Sequence, residues 1–296
     1  MLKLKTDVNW NKHDKKDIEK PLVQFENYLM SKGLRKSTVE SYVFRVSKYL
    51  QFTETTMPNT ENFQEFHCDL MKRNLSRSSI NNYLFAIKSY HEMKGCDPVE
   101  FAFIKPNNII PTYFDAQEVE KIFDACYNIK HLAMLQTAFF GGLRASELCC
   151  LEDSDLDLDR LTIHIREGKG GQSGIAYITE EVETTLRQYL SIRPPHQVDG
   201  KQPLFYTDWG RRWDRKGLYH MFIAAKKRAG VTKKGGFHVF ARHSSASIMI
   251  SNGADVRIVQ TLLRHKDIRT TLRYIIVTDQ TARAWHSKTL RLDAVN

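Results

Sequence analysis

Six side chains beyond residue 140 of this 296-residue chain are of types that act on phosphate esters. They are Arg144 in GGLRASEL, Lys169 in the glycine-rich stretch GKGGQSG, His238 and Arg242 in FHVFARHSS, and His265 and Tyr274, nine positions apart in TLLRHKDIRTTLRYIIV. A phosphodiester under attack develops negative charge on its non-bridging oxygens, and fixed guanidinium and imidazolium donors hold that charge without water having to reorganise. A lysine on a hairpin turn can protonate a leaving 5′ oxygen as general acid. A tyrosine, once deprotonated, is an oxygen nucleophile that forms a covalent phosphotyrosyl ester. Because that ester keeps the energy of the broken bond, rejoining requires neither ATP nor metal. Taken singly, each residue has a plainer explanation: Arg144, three before Glu147, as half of a surface ion pair, Lys169 as a solvated turn residue, and Arg242 and His243 beside Ser244 and Ser245 as polar helix surface. Their order, spacing and context are what join them.

The elements that must carry these residues are mostly helical. Residues 17–52 read as two helices, the first closing at Gly33 and the second opening on a Ser37/Thr38 cap with Glu40 in its first turn. A third is expected near 60–73, and a fourth runs from a Ser cap to Gly95. The stretch CDPVEFAFIKPNNIIPTY, with Pro98, Pro106 and Pro111 and little charge, reads as an extended linker. Asp115 with Glu118 forms a capping box, HLAMLQTAFFGG is an apolar helix broken at Gly141 and Gly142, and RASELCCL resumes helical character. RLTIHIRE and GIAYIT are β-type runs that GKGGQSG joins into a hairpin. The acidic run EDSDLDLDR between them and the preceding helix lacks the glycine and terminal Glu of a calcium loop and reads as a solvated turn. The expected fold is therefore mainly α: a four-helix-type domain over 14–97, a linker over 98–113, and a mixed, mostly helical domain with a small β-hairpin over 114–296.

Composition narrows the partner. No window approaches a membrane span, and the charged N-terminus lacks a secretory signal's apolar core, so a cytoplasmic, nucleoid-associated protein with no membrane partner is expected. Five cysteines, Cys68, Cys96, Cys126, Cys149 and Cys150, show no metal-type spacing; reduced, mostly buried thiols are expected, with no metal and no other cofactor. The formal net charge of +10 points to a polyanion. Most of the excess falls in residues 201–236, where ten Lys/Arg face two acids. Nine of the ten, Arg211, Arg212, Arg215, Lys216, Lys226, Lys227, Arg228, Lys233 and Lys234, are taken as candidate DNA contacts; a solvated helix face is the plainer reading of the same run.

Together these pieces resemble the tyrosine recombinases of the phage-integrase and Xer type over nearly the whole chain. SKGLRKSTVESYVFRVSKYLQF and LSRSSINNYLFAIKSYHEMKG resemble the family's helical, SAM-like core-binding domain, and GGLRASELCCLEDSDLDLDRLTIHI resembles the region of its first catalytic arginine. GKGGQSGIAYIT resembles the lysine hairpin, and LLRHKDIRTTLRYIIV resembles the segment LGHxxIxTTxxY. The resemblance implies that Arg144, His238, Arg242 and His265 bind the scissile phosphate, that Tyr274 attacks, and that Lys169 protonates the leaving 5′ hydroxyl. It further implies two domains that clamp double-stranded DNA and a homo-tetramer on DNA that is monomeric or dimeric when free. Two departures stand out. The family's HxLRH box has its His three residues before the Arg, whereas HVFARH places His238 four before Arg242, with His243 a weaker candidate for the same duty. Arg264 replaces the glycine that commonly precedes the phosphate-binding His, adding a positive charge without evident cost. Rival readings are a catalytically silent DNA-binding relative, a type IB topoisomerase with the same chemistry, and a metal-dependent nuclease, for which no carboxylate cluster is evident.

Overall fold

The structure, a computed structural model, describes residues 14–105, 111–166, 173–274 and 286–287. The chain divides into two compact units, Met1–Asn108 and Ile109–Asn296.

The first unit is built on α1 (Asp14–Ser31), α2 (Lys36–Thr53), α3 (Thr60–Lys72) and α4 (Arg77–Lys94). The local signals for α4 are plain: the Ser76 hydroxyl accepts from the Ser79 N–H, and Gly95 leaves the helix in the left-handed conformation at φ 66°. Helix α2 begins at Lys36, earlier than the Ser37/Thr38 cap suggests, with no acidic residue in its first turn. Arg35 is its extended N-cap and makes no side-chain cap, its carbonyl accepting from the Thr38 and Val39 N–H groups. Apolar positions at helical spacing, among them Leu29, Val39, Val46, Leu50, Phe66, Leu84 and Ile87, close one core, each such side chain contributing roughly 1.5–3 kcal/mol on full burial. Phe25 meets Tyr90 edge to face at 5.4 Å, and Tyr49 lies 5.2 Å from Phe66. The polar groups in this core are neutral and bonded: His91 joins the Tyr49 hydroxyl (3.0 Å) to the Asp97 carbonyl (2.9 Å), and Asn81 bonds both backbone groups of Ile104.

The second unit contains α5 (Ala116–Asp124), α6 (Ile129–Phe140), α7 (Ala145–Cys150), β1 (Leu156–Asp157), β2 (Thr162–Ile165), β3 (Gly174–Tyr177), α8 (Glu180–Ile192), α9 (Arg215–Arg228), α10 (Ser245–Ser251), α11 (Val256–Leu262) and α12 (Ile268–Leu272), with a π-helical stretch at Val239–Ser244. Helix α6 is buried along most of its length, through Ala133, Met134, Leu135, Gln136, Thr137, Ala138 and Phe139. The three strands form one antiparallel sheet in the order β1-β2-β3, with Ile163 opposite Ala176 and Ile165 opposite Gly174. Strand alternation turns Ile163 and Ile165 into the core and His164 outward.

Two expectations need correction. The acidic run is an ion-pair centre at Glu152, Asp153 and Asp155 and a solvated turn only at its end, where Asp159 and Arg160 are exposed. Arg166 bonds Asp155 at 2.5 Å and Glu152 at 2.6 Å, Arg193 bonds Asp153 at 2.5 Å, and the run also supplies β1. Nor are the thiols mostly buried: Cys68 and Cys150 are exposed and only Cys149 is buried, although all five are free. Among the described residues, no helix is long and apolar enough to cross a membrane.

Candidate active site

The site is assembled from three loops that meet around one carboxylate. The first follows α6. Gly142 takes φ 55°, and a Cβ there would lie 2.6 Å from Leu263 Cδ2, so this close approach to the end of α11 needs glycine. Two residues later Arg144 is the N-cap of α7. Glu147 reaches back to it, one oxygen accepting from the Arg144 backbone N–H (2.9 Å) and the other from the Arg144 guanidinium (2.5 Å). This is the ion pair that the spacing suggests, but it is buried: Glu147 is 4% exposed.

The second piece is the segment carrying His238 and Arg242. Helical backbone is already in place at His238 (φ −65°, ψ −37°), and Val239–Ser244 then runs as a π-helix. A π-turn closes on one residue more than an α-turn, so the extra residue between His238 and Arg242 is taken up locally. His238 remains exposed, with its ring 4.9 Å from that of His243, while Arg242 is 1% exposed. The Arg242 guanidinium donates to the carbonyls of Gly142 (2.5 Å) and Leu263 (2.6 Å), tying the first loop to the third. Ser244 and Ser245 are buried rather than polar surface; the Ser244 hydroxyl accepts from the Phe114 N–H.

The third piece is the end of α11. The His265 N–H bonds the Gln260 carbonyl and the Arg264 N–H bonds the Thr261 carbonyl, the paired bonds of a Schellman motif, with Arg264 in the left-handed position at φ 54°. Glycine is the ordinary occupant of that position. Arg264 therefore carries a backbone cost of about 1 kcal/mol or more, which corrects the expectation of a cost-free charge. Its guanidinium bonds the Glu147 oxygen that accepts from the Arg144 backbone N–H, at 3.0 Å, and the Leu262 carbonyl at 3.0 Å. His265, fixed by the same motif, bonds the buried Thr271 hydroxyl through Nδ1 at 2.8 Å, which directs Nε2 elsewhere. Tyr274 follows α12 and is 6% exposed; its ring lies 5.3 Å from His243 and 6.5 Å from His265.

Arg144 and Arg264 thus share a single carboxylate, and Arg242, bonded to carbonyls, feels the same charges: a local excess of positive charge largely withdrawn from bulk water. Glu147, Arg242, His265 and Tyr274 register it. Burial alone would raise Glu147, but the Arg144 N–H and the guanidiniums of Arg264 and Arg144 hold it below the usual carboxylate range. Burial, then the neighbouring Arg144 charge, pushes Arg242 down to about 9, still charged at neutral pH. Burial and the charges of Arg242, Arg144 and Arg264 press His265 down to about 4, so its imidazole is neutral. Burial raises the Tyr274 phenol, against the pull of Arg242, Arg273 and Arg144.

The structure brings Arg144, His238, Arg242, His265 and Tyr274 together; Lys169 and its turn lie outside the described residues. Sequence reasoning missed Glu147 and Thr271 as supports, and the positions of Glu147 at the third residue of α7 and of Thr271 six after His265 are the signals that were there to use. The basic run divides. Arg212 pairs with Glu152 and Lys233 with Glu118 and Asp115, Arg228 lies 4.5 Å over the Tyr127 ring, and Lys226 lies 5.5 Å over Phe114. Arg211, Arg215, Lys216, Lys227 and Lys234 are exposed.

Residues 112–281 match the Phage integrase family, and residues 22–94 match the Phage integrase N-terminal SAM-like domain. A tyrosine recombinase XerA of Pyrococcus horikoshii is 29% identical over 262 residues, covering 87% of this chain and 89% of that protein. A crystal structure of XerA recombinase is similar with a TM-score of 0.55 at 26% identity, covering 92% of this chain and 98% of that one. A lambda integrase dimer bound to a COC′ core site shares the fold with a TM-score of 0.67 at 17% identity, covering 86% of this chain and 96% of that one.

Proposed function

The chain belongs to the phage integrase family, the tyrosine recombinases, and from that premise we propose that Tyr274 is the nucleophile of a metal-free, ATP-free strand exchange in double-stranded DNA. The observation that carries this reading is the buried excess of guanidinium charge beside Tyr274. Two arginines, Arg144 and Arg264, share one carboxylate while a third, Arg242, is bonded only to carbonyls, and a phosphodiester entering the site supplies the missing negative charge.

In this reading Arg144 and Arg242 hold the non-bridging oxygens, and His265 adds a contact through Nε2, its other nitrogen being fixed by Thr271. His238 stands on the rim beside His243 and serves the same phosphate. The Tyr274 oxygen, its proton lost to water, attacks phosphorus; the P–O5′ bond breaks and the 5′ oxygen takes a proton from Lys169, which is left neutral. A 5′ hydroxyl of a second duplex then gives its proton back to Lys169 and attacks the phosphotyrosyl ester; the P–O bond to Tyr274 breaks and the phenolate regains its proton from water. The exposed Arg211, Arg215, Lys216, Lys227 and Lys234 hold the DNA backbone, with Arg212, Lys226, Arg228 and Lys233 as secondary contacts because internal partners already occupy them. A homo-tetramer on two DNA segments is the assembly that pairs such exchanges. No feature of the site favours a silent relative or a topoisomerase.

The test is covalent trapping. The protein and its Tyr274→Phe variant are incubated in EDTA with nicked duplex fragments of the source genome, denatured, and searched for a DNA-linked peptide containing Tyr274. The expected result is an adduct in the wild type that disappears in the variant; DNA binding with no adduct on any fragment would overturn the proposal.

A further inference from the structure

Arg264 occupies an unfavourable backbone position and is held there by contacts that serve its neighbours. It is one of four non-glycine residues with positive φ among the described residues. Its guanidinium bonds Glu147 and Leu262 and reaches the Gly141 and Gly142 carbonyls at 3.5 and 3.4 Å. Its stem lies against the start of β3, where a Cβ on Gly174 would come within 2.8 Å of Arg264 Cδ. One side chain therefore touches the Arg144 loop, the His265 turn and the base of the hairpin.

The consequential contact is with Glu147, whose two oxygens are divided. One takes the Arg144 guanidinium, through Nη1; the other takes Arg264 together with the Arg144 backbone N–H. A carboxylate with both oxygens available closes a two-point fork on a guanidinium and turns its donors inward. Here Arg264 occupies the second oxygen.

We infer that Arg264 is a positioning residue: by competing for Glu147, it keeps Arg144 from closing a bidentate pair and leaves the Arg144 donors turned toward an incoming phosphate. The inference rests on the phosphoryl-transfer reading of the site, and its test separates the two. The variant is Arg264→Gly, whose backbone is at ease at φ 54°. Arg264→Asn, which also tolerates this conformation, serves if the glycine variant folds poorly.

The first measurement needs no DNA. The Nε–Hε NMR signal of Arg144 in the full chain, assigned by its loss in Arg144→Lys, is expected to move and its hydrogen exchange to slow in Arg264→Gly as the fork closes; an unmoved signal overturns the inference. The second uses a nicked duplex carrying a site trapped on Tyr274. At saturating DNA, Arg264→Gly is expected to cleave about tenfold more slowly with Kd unchanged, and Arg264→Lys to recover part of the rate. The deficit should shrink on DNA with a neutral methylphosphonate at the scissile position, where no charge awaits a guanidinium. An equal loss on both substrates, or a loss confined to Kd, overturns the inference in favour of a purely structural arginine. No wild-type adduct would sink the phosphoryl-transfer reading alone, because the NMR result still decides whether Arg264 controls Arg144.

Discussion

Two cationic regions lie in the same unit and behave differently. On α9 and the segment around it, arginines and lysines stand in solvent or are occupied by aromatic faces and distant carboxylates. Around Glu147, Arg242 and Arg264 are withdrawn from solvent and fixed by backbone carbonyls, and the half-buried Arg144 is fixed by Glu147 itself. The first region holds more charge in the sequence. The second holds charge that no water shell screens and that cannot swing away, which is what a developing phosphorane charge requires. Counting Lys and Arg locates the partner; only burial locates the chemistry.

The sharpest way to break this contrast is Arg242→Lys. Lysine cannot donate in two fixed directions to the carbonyls of Gly142 and Leu263, and we expect single-turnover cleavage to fall about 10²–10³-fold. The next effect concerns acid. With His265 pressed to about 4 in the folded chain against an ordinary value of 6.5, the unfolded chain binds the extra proton between those values. Stability contributed by neutral His265 is thus complete above pH 6.5 and is lost as pH falls toward 4. Melting temperature measured from pH 7.5 to 4.5 should drop, and less steeply in His265→Asn; equal slopes would show that this imidazole is not desolvated. Smaller still is the surface arm. Lys216→Gln with Lys227→Gln should lower the slope of log affinity against log salt by about 1 per residue while leaving cleavage at saturating DNA unchanged. A cleavage defect there would erase the distinction between the regions. The smallest effect is expected from deleting Ala241, which converts HVFARH to HVFRH. If the π-helical stretch only absorbs one residue, cleavage should stay within about threefold of wild type; a collapse would mean that the bulge itself shapes the site.

Much of the architecture was legible because its signals are local. Ser76 and Gly95 bound α4, and Asp115 with Glu118 opens α5, since caps act within three or four residues. Where the residue that caps a helix carries no cap signal, as at Arg35 just before Ser37, the start of the helix is not legible to better than a residue or two. Glu152, Asp153 and Asp155 were misread because their partners, Arg166, Arg193 and Arg212, lie 11 or more residues away and only the fold brings them near. The same limit applies at the site. Residue types and order named Arg144, Arg242, His265 and Tyr274, but nothing local reveals that Glu147 is shared, that Arg264 sits in a left-handed turn, or that a π-helical stretch restores His238 to its neighbours.

One bond pattern has a consequence for the living cell. Arg242 takes its carbonyl partners from positions 100 and 21 residues away, Gly142 before it and Leu263 after it, and Tyr274 follows later still. No ribosome-bound stub or proteolytic fragment lacking either loop can assemble this socket, although such a piece can still carry the basic residues of α9. The charge arrangement beside Tyr274 is therefore complete only when both loops and the residues up to Tyr274 are present, whereas the basic run of α9 lies wholly between those loops and depends on neither for its charge.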